Sequence, residues 1–367
     1  MRCLLVGEYY SENLGDGVLC KSTEILLREI FPNIEIDVWD LSGRCGFNKD
    51  AVADKKWKVK WKAFSYSILE SLGFMDVYLT YRKKRKYGKN KFKSHDYDFI
   101  IFAGGQIAVS GFKERVLYIL DKFKDIPKVF NAIGNGNDNV TWIDDDICEK
   151  YNIKGITYRD GTMSLKNIMC KETFDTAIIS NELINKNSKD NFIEESIIGI
   201  GIMYASNINK EIQNKFWRNV FEILKESNIR YKIFTNGDPN DYGYVVDLCR
   251  MHGIDDRVLC ERPSTPEELI QLIGAFKGIF SCRLHSHIIA YSLSVPSVGI
   301  VWDSKVIRFF EKIGAHDNLV NFESDKSTIE NKLRVLTELD MENFNVNNYS
   351  VRNNFRELIG MLNLNER

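Results

Sequence analysis

The segment Gly278–Gly314 constrains the fold more strongly than any other part of the sequence. Its first residues, Ile279–Cys282, form an apolar run of strand length, and Leu284–Leu293 has the length and apolar content of a helix. Pro296–Val301 then has the pattern of a second strand. A strand, a helix and a strand joined by such short connections form a parallel βαβ unit. We therefore predict a parallel sheet with helices packed against it.

The polar junction of this unit is the strongest candidate for a functional site. Arg283 and His285 lie where the first strand ends and the helix begins. Free backbone N–H groups and the positive end of the helix dipole meet at such a position and favour anions. An arginine adds a forked donor for carboxylate or phosphate, and a histidine can carry a proton near neutral pH. The pattern therefore predicts an anion-binding junction with acid–base chemistry.

The rest of the chain indicates two domains of the same kind. A length of 367 residues exceeds one ordinary core, and strand and helix patterns alternate on both sides of the polar stretch Asn181–Glu195. We predict an N-terminal domain at 1–185, a C-terminal domain at 190–335, and a helical segment at 336–367 that packs back across the first domain. The predicted fold class is α/β, with two Rossmann-like parallel-sheet domains facing across a cleft.

Composition excludes several classes of protein. A hydrophobic content of 44% and a net charge of -1 are typical of a soluble globular chain. No run of 18 apolar residues occurs, so no membrane-spanning helix is expected, and the apolar part of the first ten residues is too short for a signal peptide. The eight cysteines stand singly without a C-x-x-C pair, which argues against a zinc ribbon or a disulfide framework. We expect a reduced, cytoplasmic protein.

One basic segment does not fit a plain sheet. Residues 55–93 hold 13 lysines and arginines against two acidic residues, and Trp57 and Trp61 lie among them. A basic segment with aromatic residues suits the surface of an anionic membrane, while the alternative is a solvated helical insertion. Nucleic acid is not an expected partner, because the charge is balanced elsewhere in the chain and no DNA- or RNA-binding motif occurs.

Two turns after predicted strands carry groups that can contact a ligand. Asn13–Asp16 follows the first strand, and its side chains either face a cleft or only make a turn and cap the next helix. Gly104 and Gly105, followed by Gln106, permit a ligand to approach the backbone closely or simply form a tight turn. Neither segment is a G-x-G-x-x-G or Walker sequence, so no dinucleotide or P-loop site is predicted.

Arg159 and the histidines complete the candidates. Arg159 ends a predicted strand, where it either pairs with Asp160 or clamps an anion. His285 and His287 diverge at a helix start, and no cysteine or carboxylate stands nearby in ligand spacing, so no metal site is predicted. His287 is expected to be structural.

In order and spacing, these motifs resemble the polysaccharide pyruvyl transferase family over about residues 1–315. The resemblance implies a fold similar to the two-domain GT-B glycosyltransferases, with the acceptor on the N-terminal domain and the donor on the C-terminal domain. It also implies transfer of a pyruvyl group from phosphoenolpyruvate to a sugar as a cyclic ketal, with release of phosphate and no cofactor. The matching motifs are Asn13-Leu14-Gly15-Asp16, Gly104-Gly105, Arg159-Asp160-x-x-x-Ser164, Arg283-Leu284-His285-Ser286-x-Ile288-x-Ala290, Pro296 and Asp303-Ser304-Lys305.

Family roles carry over to particular residues. His285 is implied as a catalytic or binding residue, and Asp16 is a second candidate base across the cleft. The candidates for binding phosphoenolpyruvate are Arg159, Arg283, His285, Ser286 and Lys305. The candidates for binding the acceptor are Asn13, Gly104, Gly105 and Gln106. The chain departs from the family at Gln106, where a third glycine is common, and at Phe174–Ala177, which only partly matches an Asp-x-Ala element.

The acceptor implied by the family is a galactose-type or related hexose in a bacterial surface polysaccharide. If 55–93 binds a membrane, the acceptor is a lipid-linked repeat unit and the protein works at the inner face of the plasma membrane. The main alternative is a GT-B glycosyltransferase that uses a nucleotide sugar, since it shares the two-domain outline and the anion-binding junctions. A second alternative is a glycan- or membrane-binding protein without enzymatic activity.

Overall fold

The computed structural model describes residues 1–47, 92, 96–134, 141–184, 197–338 and 348–364. These residues form two α/β domains, each built on one parallel sheet. The basic segment predicted at 55–93 lies outside the described residues apart from Phe92, and most of the polar stretch between the domains lies outside them as well. No helix among the described residues is long and apolar enough to cross a membrane.

The N-terminal domain is a six-stranded parallel sheet in the order β2-β1-β3-β4-β5-β6. Its central strands are apolar on both faces because helices cover both sides of a parallel sheet. In β1, Cys3 and Leu5 pack on one face, while Leu4 and Val6 pack on the other. The strands are β1 (Arg2–Gly7), β2 (Glu35–Asp40), β3 (Phe99–Gly105), β4 (Lys128–Gly134), β5 (Ile153–Asp160) and β6 (Met169–Glu172).

Helices cover both faces of this first sheet. A 3₁₀ segment, Thr176–Leu183, follows β6 and packs against the first helix. The last described helix of the chain also lies here, although it follows the second domain in sequence. The helices are α1 (Leu14–Ile30), α2 (Ser110–Lys122), α3 (Asp145–Lys150) and α10 (Asn348–Gly360).

The C-terminal domain is a five-stranded parallel sheet in the order β11-β10-β9-β7-β8. It contains the βαβ unit of the sequence analysis as β9, α7 and β10. Its strands are β7 (Ile198–Gly201), β8 (Tyr231–Phe234), β9 (Gly278–Ser281), β10 (Ser297–Val301) and β11 (Leu319–Asn321). Its helices are α4 (Lys210–Glu226), α5 (Pro239–His252), α6 (Pro266–Gly274), α7 (Leu284–Ser292), α8 (Ser304–Lys312) and α9 (Lys326–Glu338), with a 3₁₀ turn at Asp256–Val258.

The first helix begins earlier than the sequence pattern indicates. The predicted turn at Asn13–Asp16 is wrong, because α1 begins at Leu14 and Asn13 occupies its N-cap position. Two glycines in the first turns conceal the helical pattern. Gly17 is required by space, since a Cβ there would lie 2.9 Å from the carbonyl oxygen of Tyr9.

Each sheet has one point where the strand order reverses. In the N-terminal sheet β1 pairs with both β2 and β3, and in the C-terminal sheet β7 pairs with both β8 and β9. Connections leave such neighbouring strands in opposite directions, which opens a crevice at their carboxyl ends. The segments that follow β1, β3 and β9 therefore form the natural ligand site of this fold.

The two domains touch where α1 and α7 begin. Gly15 of α1 packs on His285 of α7 so closely that a Cβ would lie 2.3 Å from the His285 Cβ. The Leu14 N–H donates to the Asn236 carbonyl across the same contact (2.9 Å). Gly237 has a φ of +97° and faces Leu14, where a Cβ would lie 2.6 Å from Cδ1. Glycine is used on both sides because the two backbones approach each other directly.

The chain returns to the N-terminal domain at its end. Leu358 of α10 packs against Gly155 of β5, where a Cβ would lie 3.0 Å from Leu358 Cδ1. Arg352 donates to both carboxylate oxygens of Glu29 on α1, at 2.9–3.1 Å. The chain therefore passes between the domains twice, once between residues 184 and 197 and once between 338 and 348.

Candidate active site

A cavity of about 270 Å³ lies between the domains at the carboxyl ends of both sheets. The segments after β1 and β3 contribute one wall, and the segments after β9 and β10 contribute the opposite wall. Arg159 enters from the end of β5. The lining residues are Glu8, Asn13, Asp16, Gln106, Phe112, Arg159, Arg283, Leu284, His285, Trp302 and Lys305.

Arg159 is held rigidly at the base of the cavity. Its side chain is only 6% exposed, and Nη1 donates to Asp175 Oδ2, while Nε lies 3.5 Å from Asp160 Oδ2. Burial alone would lower the pKa of Arg159, but Asp175 and Asp160 raise it, so the guanidinium is always charged. The carboxyl group of Asp175 is itself held in place, because its Oδ1 accepts a hydrogen bond from the backbone N–H of Ala177 (2.8 Å).

Asp175 contacts both Arg159 and His285, although its sequence position did not predict a role in the site. Burial would raise the pKa of Asp175, but Arg159 and His285 hold it well below its usual range. It is therefore a carboxylate that positions both of these side chains. The Asp-x-Ala pattern at 175–177 was the only signal in the sequence for this position.

His285 lies at the centre of the charged groups. Arg159 Nη1 donates to His285 Nε2 at 3.2 Å, and Asp175 Oδ2 is 3.6 Å from the same nitrogen. Because a guanidinium cannot accept a hydrogen bond, the neutral ring carries its proton on Nδ1 in this arrangement. Nδ1 faces Asp16 Oδ1 at 3.8 Å. The ring is therefore placed to pass a proton between the cavity and two carboxylates of the N-terminal domain, Asp16 and Asp175.

Arg283 occupies the N-cap position of α7 and is 21% exposed. Its Nε and Nη2 donate to Asp241 Oδ2 at 2.9 and 2.5 Å, and Asp238 is 3.8 Å away. Burial raises the pKa of Asp241 to about 6 even though Arg283 opposes the shift. The hydrogen bonds to Asp241 fix one edge of the Arg283 guanidinium. Because Arg283 also lines the cavity, its guanidinium is suited to bind an anion there.

Lys305 adds a third cation to the same wall. Its Nζ lies 4.3 Å from the ring centroid of Trp302, whose Nε1 donates to the Cys282 carbonyl (2.8 Å). Burial lowers the pKa of Lys305, and no carboxylate among the described residues lies within 4.0 Å of its Nζ. A buried ammonium without a carboxylate partner is suited to an anionic ligand.

The wall from the N-terminal domain is polar and acidic. Asn13 Nδ2 donates to Asp16 Oδ2 (2.9 Å), and Ser11 Oγ lies 3.4 Å from the same oxygen. Asn13 Oδ1 is buried without a hydrogen-bond partner. Glu8 follows β1 directly and lines the cavity, although the sequence analysis did not select it. The only sequence signal for Glu8 is its position at the carboxyl end of a central strand.

Three of the predicted contact residues do not line the cavity. Gly104 and Gly105 have φ values of +59° and +74°, and a Cβ on Gly104 would lie 2.6 Å from Leu19. They shape the end of β3 and place Gln106, which does line the cavity. Ser286 is fully buried and its Oγ donates to Asn236 (2.7 Å), so the predicted contact between Ser286 and phosphoenolpyruvate is corrected to a structural role.

The other histidine of the motif is also structural. His287 is fully buried, and its Nε2 donates to the Ser281 carbonyl (2.9 Å). Burial lowers the pKa of His287 to about 4, so the ring stays neutral. Among the residues that the structure describes, no group of three or more His, Cys, Asp and Glu side chains is arranged to hold a metal ion.

Comparison with known proteins gives one family and one fold. The profile of the family described as polysaccharide pyruvyl transferase matches residues 13–304. The S. aureus MnaA–UDP co-structure is similar to this chain with a TM-score of 0.55 at 12% identity, covering 99% of this chain and 96% of MnaA. The UDP-GlcNAc 2-epimerase of Methanocaldococcus jannaschii in complex with UDP-GlcNAc and UDP has a TM-score of 0.54 at 10% identity, covering 98% and 99%.

The E. coli heptosyltransferase WaaC with ADP is 14% identical, with a TM-score of 0.47 and coverage of 92% and 99%. No curated protein is similar to the sequence. At these identities the solved structures show the fold alone. They confirm the predicted pair of parallel-sheet domains with a GT-B-like arrangement.

Proposed function

Because the chain belongs to the polysaccharide pyruvyl transferase family, we propose that it moves a pyruvyl group from phosphoenolpyruvate to a hexose of a surface polysaccharide. The product is a cyclic pyruvate ketal, and phosphate is released. The acceptor is a galactose-type sugar, either in the polysaccharide or in its lipid-linked repeat unit. The reaction takes place in the cytoplasm, at the inner face of the membrane if 55–93 binds anionic lipid.

The observation that carries this proposal is the convergence of three cations around one histidine. Arg159, Arg283 and Lys305 line the same cavity as His285, although the four residues come from three different segments of the chain. Phosphoenolpyruvate carries a carboxylate and a phosphate on a three-carbon frame. Two guanidinium forks, one ammonium and the N-terminus of α7 supply enough partners for both anionic groups.

The proton chemistry follows from the hydrogen bonds of His285. An anionic donor bound to Arg159 would compete with His285 Nε2 for the guanidinium N–H groups. The released ring nitrogen can then accept a proton, while Asp16 at 3.8 Å and Asp175 at 3.6 Å flank the charged ring. His285 together with Asp16 therefore takes the proton of the first acceptor hydroxyl and returns it to the leaving phosphate.

The overall reaction balances without a redox cofactor. The methylene carbon of the donor gains a proton and becomes a methyl group, which makes the neighbouring carbon electrophilic. One acceptor hydroxyl adds to that carbon and loses its proton, the carbon–oxygen bond to phosphate breaks, and a second hydroxyl closes the ring and loses its proton. The two acceptor hydroxyls release two protons in total. One balances the proton that the methylene carbon gains, and the other leaves on hydrogen phosphate.

The direct test is incubation of the protein with phosphoenolpyruvate and candidate glycans. We expect phosphate release that depends on the glycan, and a mass gain of the glycan that corresponds to one pyruvyl ketal. A glycan set containing both free and lipid-linked repeat units would identify the acceptor class. Phosphate release at the background rate with every acceptor would reject the proposal.

A glycosyltransferase that uses a nucleotide sugar is the second candidate, because its domains have the same arrangement. The two functions separate in one experiment, since a glycosyltransferase would add a hexose mass to the acceptor and require a nucleotide sugar. Activity with a nucleotide sugar and none with phosphoenolpyruvate would favour this candidate.

Membrane contact through 55–93 is a separate part of the proposal. Co-sedimentation with anionic liposomes should be lost when this segment is deleted. Equal binding by both forms would reject the contact without affecting the transfer reaction.

A further inference from the structure

Glu8 is an acidic side chain of the cavity that the family motifs do not include. It is the first residue after β1, at the strand-order reversal of the N-terminal sheet, and it lines the cavity with Asp16. Among the described residues its carboxyl group has no ion pair within 4.0 Å and no side-chain hydrogen bond. The group is therefore partly buried, unpaired and in contact with the space where substrate binds.

The surroundings of Glu8 disfavour its charged form. Burial makes the largest contribution, and the negative charges of Asp16 and Asp40 add to it, so that the pKa of Glu8 is raised to about 8. Arg115 and Arg44 oppose the shift but do not outweigh it. The charged and titratable groups around Glu8 are Asp16 and Cys20 of α1, Asp40 at the end of β2, Arg44 after β2 and Arg115 of α2.

Glu8 and Asp16 are two carboxyl groups in contrasting surroundings. Asp16 accepts a hydrogen bond from Asn13 and lies beside His285, whereas Glu8 has no donor among the described side chains. A carboxyl group that its surroundings keep neutral can act as a general acid, and a hydrogen-bonded carboxyl group beside a histidine can act as the base.

The geometry points to Glu8 as the general acid that protonates the methylene carbon of the enolpyruvyl donor. This role rests on the proposed function, which leaves the source of that proton unassigned. His285 and Asp16 serve the oxygen atoms of the reaction, and the cations hold the anionic groups of the donor. Among the described residues that line the cavity, Glu8 is the remaining carboxyl group, and it can deliver a proton to carbon.

The assignment closes the proton cycle. The Glu8 carboxyl gives its proton to the methylene carbon, and Glu8 becomes a carboxylate. The carbon–carbon double bond becomes a single bond in this step. The first acceptor hydroxyl adds to the neighbouring carbon and passes its proton to the Asp16–His285 pair, which protonates the departing phosphate. The second hydroxyl then adds and gives its proton to Glu8, so that both carboxyl groups return to their starting states.

The variant Glu8→Gln tests the role, and Glu12→Gln in the same loop is its matched control. Glu12 pairs with Arg44 at 2.9 Å and does not line the cavity. We expect Glu8→Gln to lower kcat at least ~100-fold with KM for phosphoenolpyruvate changed less than about threefold, because the amide keeps the size of the side chain but cannot supply an acid proton. In the wild type kcat should fall as pH rises through about 8, and the residual activity of Glu8→Gln should lack this fall.

A titration that needs no substrate tests the protonation state separately. Infrared difference spectra between wild type and Glu8→Gln should show a carboxylic acid band that persists at pH 7 and is lost with a midpoint near 8. The difference between the thermal midpoints of Glu8→Gln and wild type should grow from about pH 4.5 to about pH 8 and stay constant above. Over this range Glu8 is ionised in the unfolded chain but protonated in the folded protein, so only the wild type loses stability as the pH rises.

The outcomes distinguish the two proposals. If the wild type transfers pyruvyl groups and Glu8→Gln has a comparable kcat, the acid role of Glu8 is rejected and the proposed function stands. Titration of Glu8 near the usual value for a glutamate rejects the acid role whatever the substrate. If the wild type releases no phosphate from phosphoenolpyruvate, the proposed function and the role of Glu8 in it are both rejected.

Discussion

The two helices that meet at the cavity begin in similar positions but present opposite charges. Helix α1 follows β1, α7 follows β9, and in neither does the side chain at the N-cap position cap the helix. The first turn of α1 carries Asp16, whereas the first turn of α7 carries no acidic residue and Arg283 precedes it. Helix α1 thus carries a carboxyl group in its own first turn, whereas the first turn of α7 carries none.

For the proposed reaction, this difference predicts how the cavity is divided between donor and acceptor. The positive end of the α1 dipole is offset by the carboxylate of Asp16, so that end offers acceptors to hydroxyl groups. The positive end of α7 adds to Arg283 and Lys305, so that end favours an anion. We therefore propose that the acceptor binds against α1 and the donor against α7.

The largest expected effect comes from the residue between the two helices. His285→Ala should lower kcat at least ~100-fold, because the pair that serves both substrates loses its proton carrier. His316→Ala is the control, since that ring is exposed and does not line the cavity. Steady-state kinetics with phosphoenolpyruvate measure the effect. A folded His285→Ala variant with a rate near that of the wild type would remove this residue from catalysis.

Arg283→Lys tests whether the α7 side binds the donor. Loss of one charge-assisted hydrogen bond costs about 1.5–3 kcal/mol, so KM for phosphoenolpyruvate should rise ~10- to 150-fold, with a smaller effect on KM for the acceptor. Arg257→Lys is a matched control, because Arg257 also donates Nε and Nη2 to one aspartate, Asp255, but is exposed. A rise in KM for the acceptor alone would reverse the proposed division.

Gly15→Ala tests the contact between the helices themselves. The added methyl group would overlap His285, and overpacking of this kind costs about 1–3 kcal/mol of unfolding free energy. Gly111→Ala is the control, because Gly111 is also the second residue of its helix but no atom lies within 4 Å of a Cβ there. Urea unfolding compares the two variants. Equal stabilities would mean that α1 and α7 separate without cost.

Ser286→Ala should have the smallest effect on activity. It removes the hydrogen bond to Asn236, which should cost about 1–3 kcal/mol of stability, while KM for phosphoenolpyruvate stays within about twofold of wild type. Thermal unfolding and steady-state kinetics separate the two effects. A large rise in KM with unchanged stability would restore Ser286 as a contact of the donor.

The parts of the site that follow from local patterns were predictable from the sequence. A polar residue directly after a short apolar run lies at the carboxyl end of a strand, and this placed Arg159 and Arg283 at the edge of their sheets. The same argument places Glu8 at the carboxyl end of β1. A glutamate after a strand is usually solvated, however, and nothing in the neighbouring sequence indicates that Asp40 and Asp16 lie around it. Its protonation depends on residues brought together only by the fold.

Contacts between distant segments were the unpredictable part. Asp175 contacts Arg159 and His285, which lie 16 and 110 positions away in sequence, so their spacing carries no signal. Ser286 directly follows His285, yet the next residue on a helix points about 100° away, and here that direction is the core. Lys128 is likewise fully buried, with four carbonyl oxygens within 3.1 Å of its Nζ, although a lysine at a strand start is usually exposed.

The return of the chain to its first domain has a consequence for stability. Leu358 of α10 packs on Gly155 of β5, and Arg352 of α10 binds Glu29 of α1. The N-terminal domain is thus assembled from early and late parts of the chain, and removal of α10 would uncover apolar surface on this domain even though its whole sheet would remain.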